Sequence, residues 1–292
     1  MIGAITLSNG DLTFPARVAG EGPVALLLHG FPDTNETFVA QLIALAAAGF
    51  RVIAPSMRGY ATESQPADGD YHAVRMAEDV VAWIDQLGAD KVHLVGHDWG
   101  ANIAFATAGL APDRLASLSV IAVPHPVRFA EHYAVDAEQQ ARSAYILDFL
   151  QPGFEEAIVA DNGAWIAERW QLWSPTWAEA GAASAPARAA LARPGVARAA
   201  LEYYRQAFDT VSPAGTASAA LFAAPVVVPT LGICGADDGC IASGVFAAAM
   251  QAQDFPAGME VRTIAGAGHF VHAEKPDEVN ALLTDWFARN PI

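Results

Sequence analysis

The chain has 292 residues, 53% of them hydrophobic, and a formal net charge of −16. That length suits one large α/β domain carrying an inserted subdomain, and that apolar content can fill a substantial core. With 32 acidic against 16 basic residues, it lacks the clustered Lys and Arg that a nucleic-acid partner demands, and the acidity reads as a matter of solubility.

Met1 to Gly10 show no basic stretch followed by an apolar run, so no signal peptide is expected. No apolar run nears the ~18 residues that span a bilayer. Cys234 and Cys240 have five residues between them, a spacing that fits neither a CxxC redox pair nor a zinc motif. They read as two buried or semi-buried thiols in a reducing compartment, and the expected setting is cytoplasmic.

Val24 to Leu28 reads as the first buried strand of a parallel sheet. His29-Gly30-Phe31-Pro32 follows it directly, and a turn there can aim the Phe31 N–H at the strand ends as half of an oxyanion hole. Thr37 to Ala48 reads as a helix, Arg51 to Ala54 as a strand and Tyr71 to Leu87 as a helix closed by Gly88. Val92 to Val95 is the next strand, and Ala101 to Leu110 the next helix.

Between them lies Gly96-His97-Asp98-Trp99-Gly100, the strand–turn–helix setting of a nucleophile elbow, whose glycines permit a sharp turn that exposes the central side chain. Esterases and lipases carry serine there; here the residue is Asp98. Serine needs a base to remove its proton, whereas a carboxylate with a reference pKa near ~3.9 is already anionic at neutral pH. Attack on a carbonyl would give an anhydride. An anionic oxygen suits displacement at a saturated carbon, so Asp98 points to epoxides or alkyl halides. The Trp99 N–H would complete the oxyanion hole.

Leu118 to Val123 closes this alternation, which implies right-handed βαβ crossovers and a doubly wound sheet. From 125 to 225 the strand-like runs vanish. The segment is helical, with Ala180 to Ala192 as helix or adjoining loop, and its clustered aromatics, among them Tyr145, Phe149, Trp165, Trp170, Trp173, Trp177, Tyr203, Tyr204 and Phe208, suit an apolar pocket wall. Val226 to Cys234 and Met259 to Ile264 resume the strand pattern, and Pro276 to Ala288 is a closing helix. The expected organisation is a core from 1–124 and 226–292 with a helical cap at 125–225. Gly235-Ala236-Asp237-Asp238-Gly239 offers two carboxylates, Asp237 and Asp238, to orient His269 of Gly266-Ala267-Gly268-His269-Phe270.

Over nearly its full length the chain resembles the epoxide hydrolases of the α/β-hydrolase fold. The resemblance rests on His29-Gly30-Phe31-Pro32, Gly96 to Gly100, Gly235 to Asp238 and Gly268-His269-Phe270, in the order nucleophile, acid, histidine. It implies that Asp238, three residues past the strand-closing glycine, is the acid. It also implies two cap tyrosines that hold and protonate the epoxide oxygen. Tyr145 matches one, in Ala144 to Gly153. Tyr204 matches the other, because the family's aromatic–Tyr–Arg pattern falls on Tyr203-Tyr204-Arg205. The implied reaction converts a small apolar epoxide and water to a vicinal diol through an ester on Asp98, with no metal or organic cofactor. One stretch departs from the pattern. Relatives often carry Gly-Tyr-Gly and then Ser or Thr where this chain has Gly59-Tyr60-Ala61-Thr62.

Two rivals remain. A haloalkane dehalogenase shares the aspartate nucleophile, but it often has Asn where this chain has Phe31 and needs no pair of phenols. A non-catalytic small-molecule receptor could use the same fold. The oligomeric state is open, a homodimer among the options.

Overall fold

A computed structural model describes residues 1–292. Eight strands form one sheet in the order β1-β2-β4-β3-β5-β6-β7-β8. They are β1 (Gly3–Asn9), β2 (Leu12–Ala19), β3 (Val24–Leu28), β4 (Arg51–Pro55), β5 (Val92–His97), β6 (Leu115–Ile121), β7 (Thr230–Gly235) and β8 (Met259–Ile264). The sheet is parallel from β4 through β3 to β8, and β1 and β2 add an antiparallel edge. No helix is long and apolar enough to cross a membrane.

Two helices cover each face. On one side lie α1 (Val39–Ala47) and, from the chain's end, Pro276–Arg289; Leu42, Leu45, Leu283 and Phe287 are buried there against Leu27, Val95 and Ile233. On the other, α2 (Ala73–Gln86) and α3 (Trp99–Leu110) bury Met76, Val80, Trp83, Ile84, Ile103 and Phe105. Each such side chain contributes about 1.5–3 kcal/mol by leaving water.

Between β6 and β7 only helices occur: α4 (Pro126–Val135), α5 (Ala137–Arg142), α6 (Tyr145–Phe149), α7 (Phe154–Trp173), α8 (Ala180–Ala183), α9 (Ala185–Leu191), α10 (Val196–Ala207) and α11 (Pro213–Ala223). Three more complete the chain: α12 (Ser243–Ala249), α13 (Val271–Glu274) and α14 (Pro276–Arg289). The alanine-rich stretch is thus two short helices. Within α7 the helical ladder breaks at Ala160 to Gly163, where Asp161, Asn162 and Gly163 take φ of 50°, 56° and 70°.

Several boundaries depart from the sequence pattern. The β1–β2 hairpin was unmarked by any long apolar run, although Ile5 and Leu7 alternate and Gly10-Asp11 forms the two-residue turn. Strand β6 ends at Ile121 because Ala122 turns to φ 64°. Strand β7 opens at Thr230, not Val226, because Pro229 cannot donate to a ladder; its carbonyl accepts from Leu118 N–H at 2.9 Å. A 3₁₀ turn at Asn35–Phe38 shortens the first helix.

Candidate active site

The turns that follow β3, β5, β7 and β8 meet at the carboxyl ends of the strands, where parallel α/β sheets hold their ligands. Asp98 caps α3 with φ 52° and ψ −120°, a conformation costly for any residue with a side chain and kept only where its surroundings enforce it. The enforcement is visible. A Cβ on Gly96 would fall against the Gly100 carbonyl, one on Gly100 against the Leu28 carbonyl, and one on Gly30 against the Asp98 carboxylate. Three glycines therefore let the elbow close on the strand beside it.

The Asp98 carboxylate, 5% exposed, has its two oxygens in different company. Phe31 N–H donates to Oδ1 at 2.7 Å. Oδ2 lies 3.5 Å from His269 Nε2. Trp99 N–H sits in the first turn of α3, among the amides that no intrahelical carbonyl can reach. On the far side of the ring, His269 Nδ1–H donates to Asp238 Oδ2 at 2.9 Å; a carboxylate only accepts, which sets the proton on Nδ1. Asp238 Oδ1 in turn accepts from Cys240 N–H at 2.7 Å and Ile241 N–H at 3.0 Å.

Asp238 and His269 are buried, while Asp237 is exposed and contributes its N–H to the Ala267 carbonyl at 2.9 Å. The structure thus brings Asp238 to His269 and leaves Asp237 in solvent. Burial works to lower the His269 pKa, but the charges of Asp238 and Asp98 prevail and raise it to about 10.

The helical segment reaches into the same space. His269 N–H and Gly239 N–H both donate to the Trp173 carbonyl at the end of α7, at 2.9 and 3.0 Å. His97 Nε2–H donates to the His269 carbonyl at 3.0 Å. Trp170 stacks on Phe270 with centroids 3.8 Å apart and gives its indole N–H to the Pro32 carbonyl at 2.7 Å.

Tyr203 and Tyr204 are neighbours on α10 with separate destinations. Tyr203 O–H donates to the Arg58 carbonyl at 2.5 Å, so its proton is committed to the core. Tyr204 faces Trp99 and Phe31, with ring centroids at 4.9 and 5.4 Å. Tyr145 opens α6 with its ring 6.4 Å from Tyr204 and its hydroxyl 3.4 Å from Cys240 Sγ. Burial pushes both phenols well above the usual range, helped by Cys240, Tyr204 and Asp98 for Tyr145 and by Asp98 for Tyr204. Both are neutral donors at physiological pH.

Among the clustered aromatics, Phe149 packs on Phe31, Tyr145 and Tyr204, and Trp165 on Phe149. Phe208, by contrast, is 61% exposed. Sequence reasoning gave no role to Cys240, to the Trp173 carbonyl or to His97, although His97 lies within the Gly96 to Gly100 motif. Asp33, His97 and His272 alone bring three metal-ligand side chains together, within 4.8 Å. Asp33 already accepts from Thr34 N–H and Thr37 Oγ1–H, and His97 braces the His269 loop, so the group forms a polar layer behind the histidine.

Comparison with known proteins places residues 23–276 in the alpha/beta hydrolase fold family. An epoxide hydrolase of Caballeronia sordidicola is 31% identical over 306 residues, covering 95% of this chain and 91% of its own length. The match to Epoxide hydrolase 2 of Siraitia grosvenorii, 36% identical, spans 52% of this chain and about half (49%) of that relative. An epoxide hydrolase from an endophytic Streptomyces superposes with a TM-score of 0.80 at 28% identity, over 99% of this chain and 96% of that one. One from Vigna radiata gives 0.77 at 26% identity, over 99% and 98%.

Proposed function

The chain belongs to the α/β-hydrolase fold family and, within it, to the epoxide hydrolases, and from that membership we propose that it hydrolyses a small apolar epoxide to a vicinal diol through an ester on Asp98. The observation that carries this reading is the division of labour in the Asp98 carboxylate: Oδ1 is bound to an oxyanion-type amide at 2.7 Å, while Oδ2 is left to attack. Residues 1–124 and 226–292 serve as the core in this reading, and 125–225 as a cap carrying the two phenols.

Oδ2 displaces the epoxide oxygen from carbon while Tyr145 and Tyr204 hydrogen-bond to that oxygen, and one phenol gives up its proton as the C–O bond breaks. The phenols act only as the oxygen gains charge, which is why they accelerate the step. Esterification removes the Asp98 charge, one of those that keep the His269 pKa near 10. The imidazolium then passes its proton to the phenolate, restoring the phenol, and Nε2 becomes a base for water.

Water attacks Cγ of the ester, and the oxyanion that forms on Oδ1 is held by the Phe31 and Trp99 amides. Losing one such donor costs about 3 kcal/mol in comparable sites. The adduct breaks its Cγ–Oδ2 bond, and His269 returns its proton to the departing diol oxygen. The adduct's hydroxyl proton, freed as Asp98 becomes a carboxylate again, returns to His269 and restores the imidazolium. No step calls on a cofactor.

Trapping tests the proposal. The variant His269→Gln, mixed with an aryl epoxide such as styrene oxide, should gain the mass of one epoxide, located on Asp98 by peptide mapping. Asp98→Asn should gain nothing. An unlabelled His269→Gln protein, or halide release from haloalkanes without diol from epoxides, would overturn the reading.

A further inference from the structure

Cys240 joins the acid of the candidate triad to a cap phenol. Its N–H donates to Asp238 Oδ1 at 2.7 Å, its carbonyl accepts from Gln139 Nε2–H at 2.9 Å, and its thiol lies 3.4 Å from the Tyr145 hydroxyl. The same short loop is pinned twice more to the cap. Arg142 Nη1–H donates to the Asp238 carbonyl at 2.8 Å, and Gln139 Oε1 accepts from Ala242 N–H at 3.1 Å. These contacts set the distance between Sγ and the phenol from both sides.

A phenol has one proton and two acceptor positions. If Tyr145 donates to Sγ, it has nothing to give an epoxide oxygen. The reverse orientation leaves its proton free. Cys240 can sustain that reverse orientation because burial, aided by the charges of Asp238 and Asp98, keeps the thiol protonated.

We propose that Cys240 is a positioning residue for Tyr145: its S–H donates to the phenolic oxygen and turns the phenol's proton into the cavity, towards the epoxide oxygen. This rests on the reading of Tyr145 as a donor in the preceding subsection. The thiol transfers no proton and touches no reacting atom. As charge grows on the phenolic oxygen during ring opening, the hydrogen bond from the thiol to it strengthens, so its effect falls on the alkylation step alone.

The test uses the full-length protein, styrene oxide and single-turnover mass spectrometry, which separates alkylation of Asp98 from ester hydrolysis. Cys240→Ala should slow alkylation about tenfold, a change of about 1.4 kcal/mol, and leave hydrolysis at the wild-type rate. Cys240→Ser, which keeps a donor, should recover most of the loss and also serves if the alanine variant does not fold. In a Tyr145→Phe background, Cys240→Ala should add nothing, because the oxygen it acts on is gone. Alkylation at the wild-type rate in Cys240→Ala, or the same tenfold loss in the Phe background, overturns the proposal. A Tyr145→Phe enzyme that alkylates at the wild-type rate removes the donor reading itself, and the cysteine's role with it.

Discussion

His269 is held between two carboxylates, and its charge state links catalysis to stability. Its folded pKa of about 10 lies above the ordinary 6.5. The stabilisation it contributes is therefore complete below pH 6.5 and lost as pH rises towards 10. The difference in unfolding free energy between wild type and His269→Gln, from urea titrations, should shrink over that range. Its slope cannot exceed ~1.4 kcal/mol per pH unit for one proton. A constant difference would mean the imidazole is not held as a cation. Residue identity was readable for Asp98, because an aspartate between glycines after a strand has few other uses. Asp237 against Asp238 was not decided by the residues themselves; family resemblance selected Asp238, and the fold sets it beside His269. Tyr203 and Tyr204 repeat the case on a helix, where successive side chains point about 100° apart and only one can face the cavity.

The elbow works as an element because β3 and β5 are hydrogen-bonded neighbours, with Leu28 opposite Gly96. Gly30 and Gly100 give the two turns room to interlock. Gly30→Ala would press a methyl group into the Asp98 carboxylate and draw Oδ1 off the Phe31 amide. Alkylation in single turnover should fall about a hundredfold, the usual result of moving a reacting group by about an ångström. An unchanged rate would show that the carboxylate moves aside freely. At this scale the sequence was a good guide to the central strands, whose apolar runs are short and flanked by turn residues. It was a poor guide at the edge. The β1–β2 hairpin is half exposed and lacks the continuous apolar run that marks its neighbours. The break inside α7 was missed as well, although Asp161, Asn162 and Gly163 are residues that favour turns and tolerate positive φ.

Across the whole molecule, one continuous cluster of buried side chains runs from Leu28 in the sheet and Phe31 in the turn after it to Trp170, Leu201 and Tyr204 in the helical segment. Polar contacts cross the same boundary at Trp173, Trp170 and Tyr203. We therefore expect the segment at 125–225 to unfold together with the core. Calorimetry should give a single transition with equal calorimetric and van't Hoff enthalpies. Two resolved peaks would mean the cap has a stability of its own. The sequence by itself determined the parallel sheet, an aspartate at the turn after β5 and the order of the motifs, because strand periodicity and elbow glycines are local. Resemblance selected Asp238 and Tyr204, and only the tertiary structure set Asp238 beside His269, turned the Tyr203 hydroxyl to the Arg58 carbonyl and brought a cysteine to the Tyr145 phenol. Such pairings join residues far apart in the chain, 31 positions for His269 with Asp238 and 95 for Tyr145 with Cys240, and a spacing along the chain carries no distance in space.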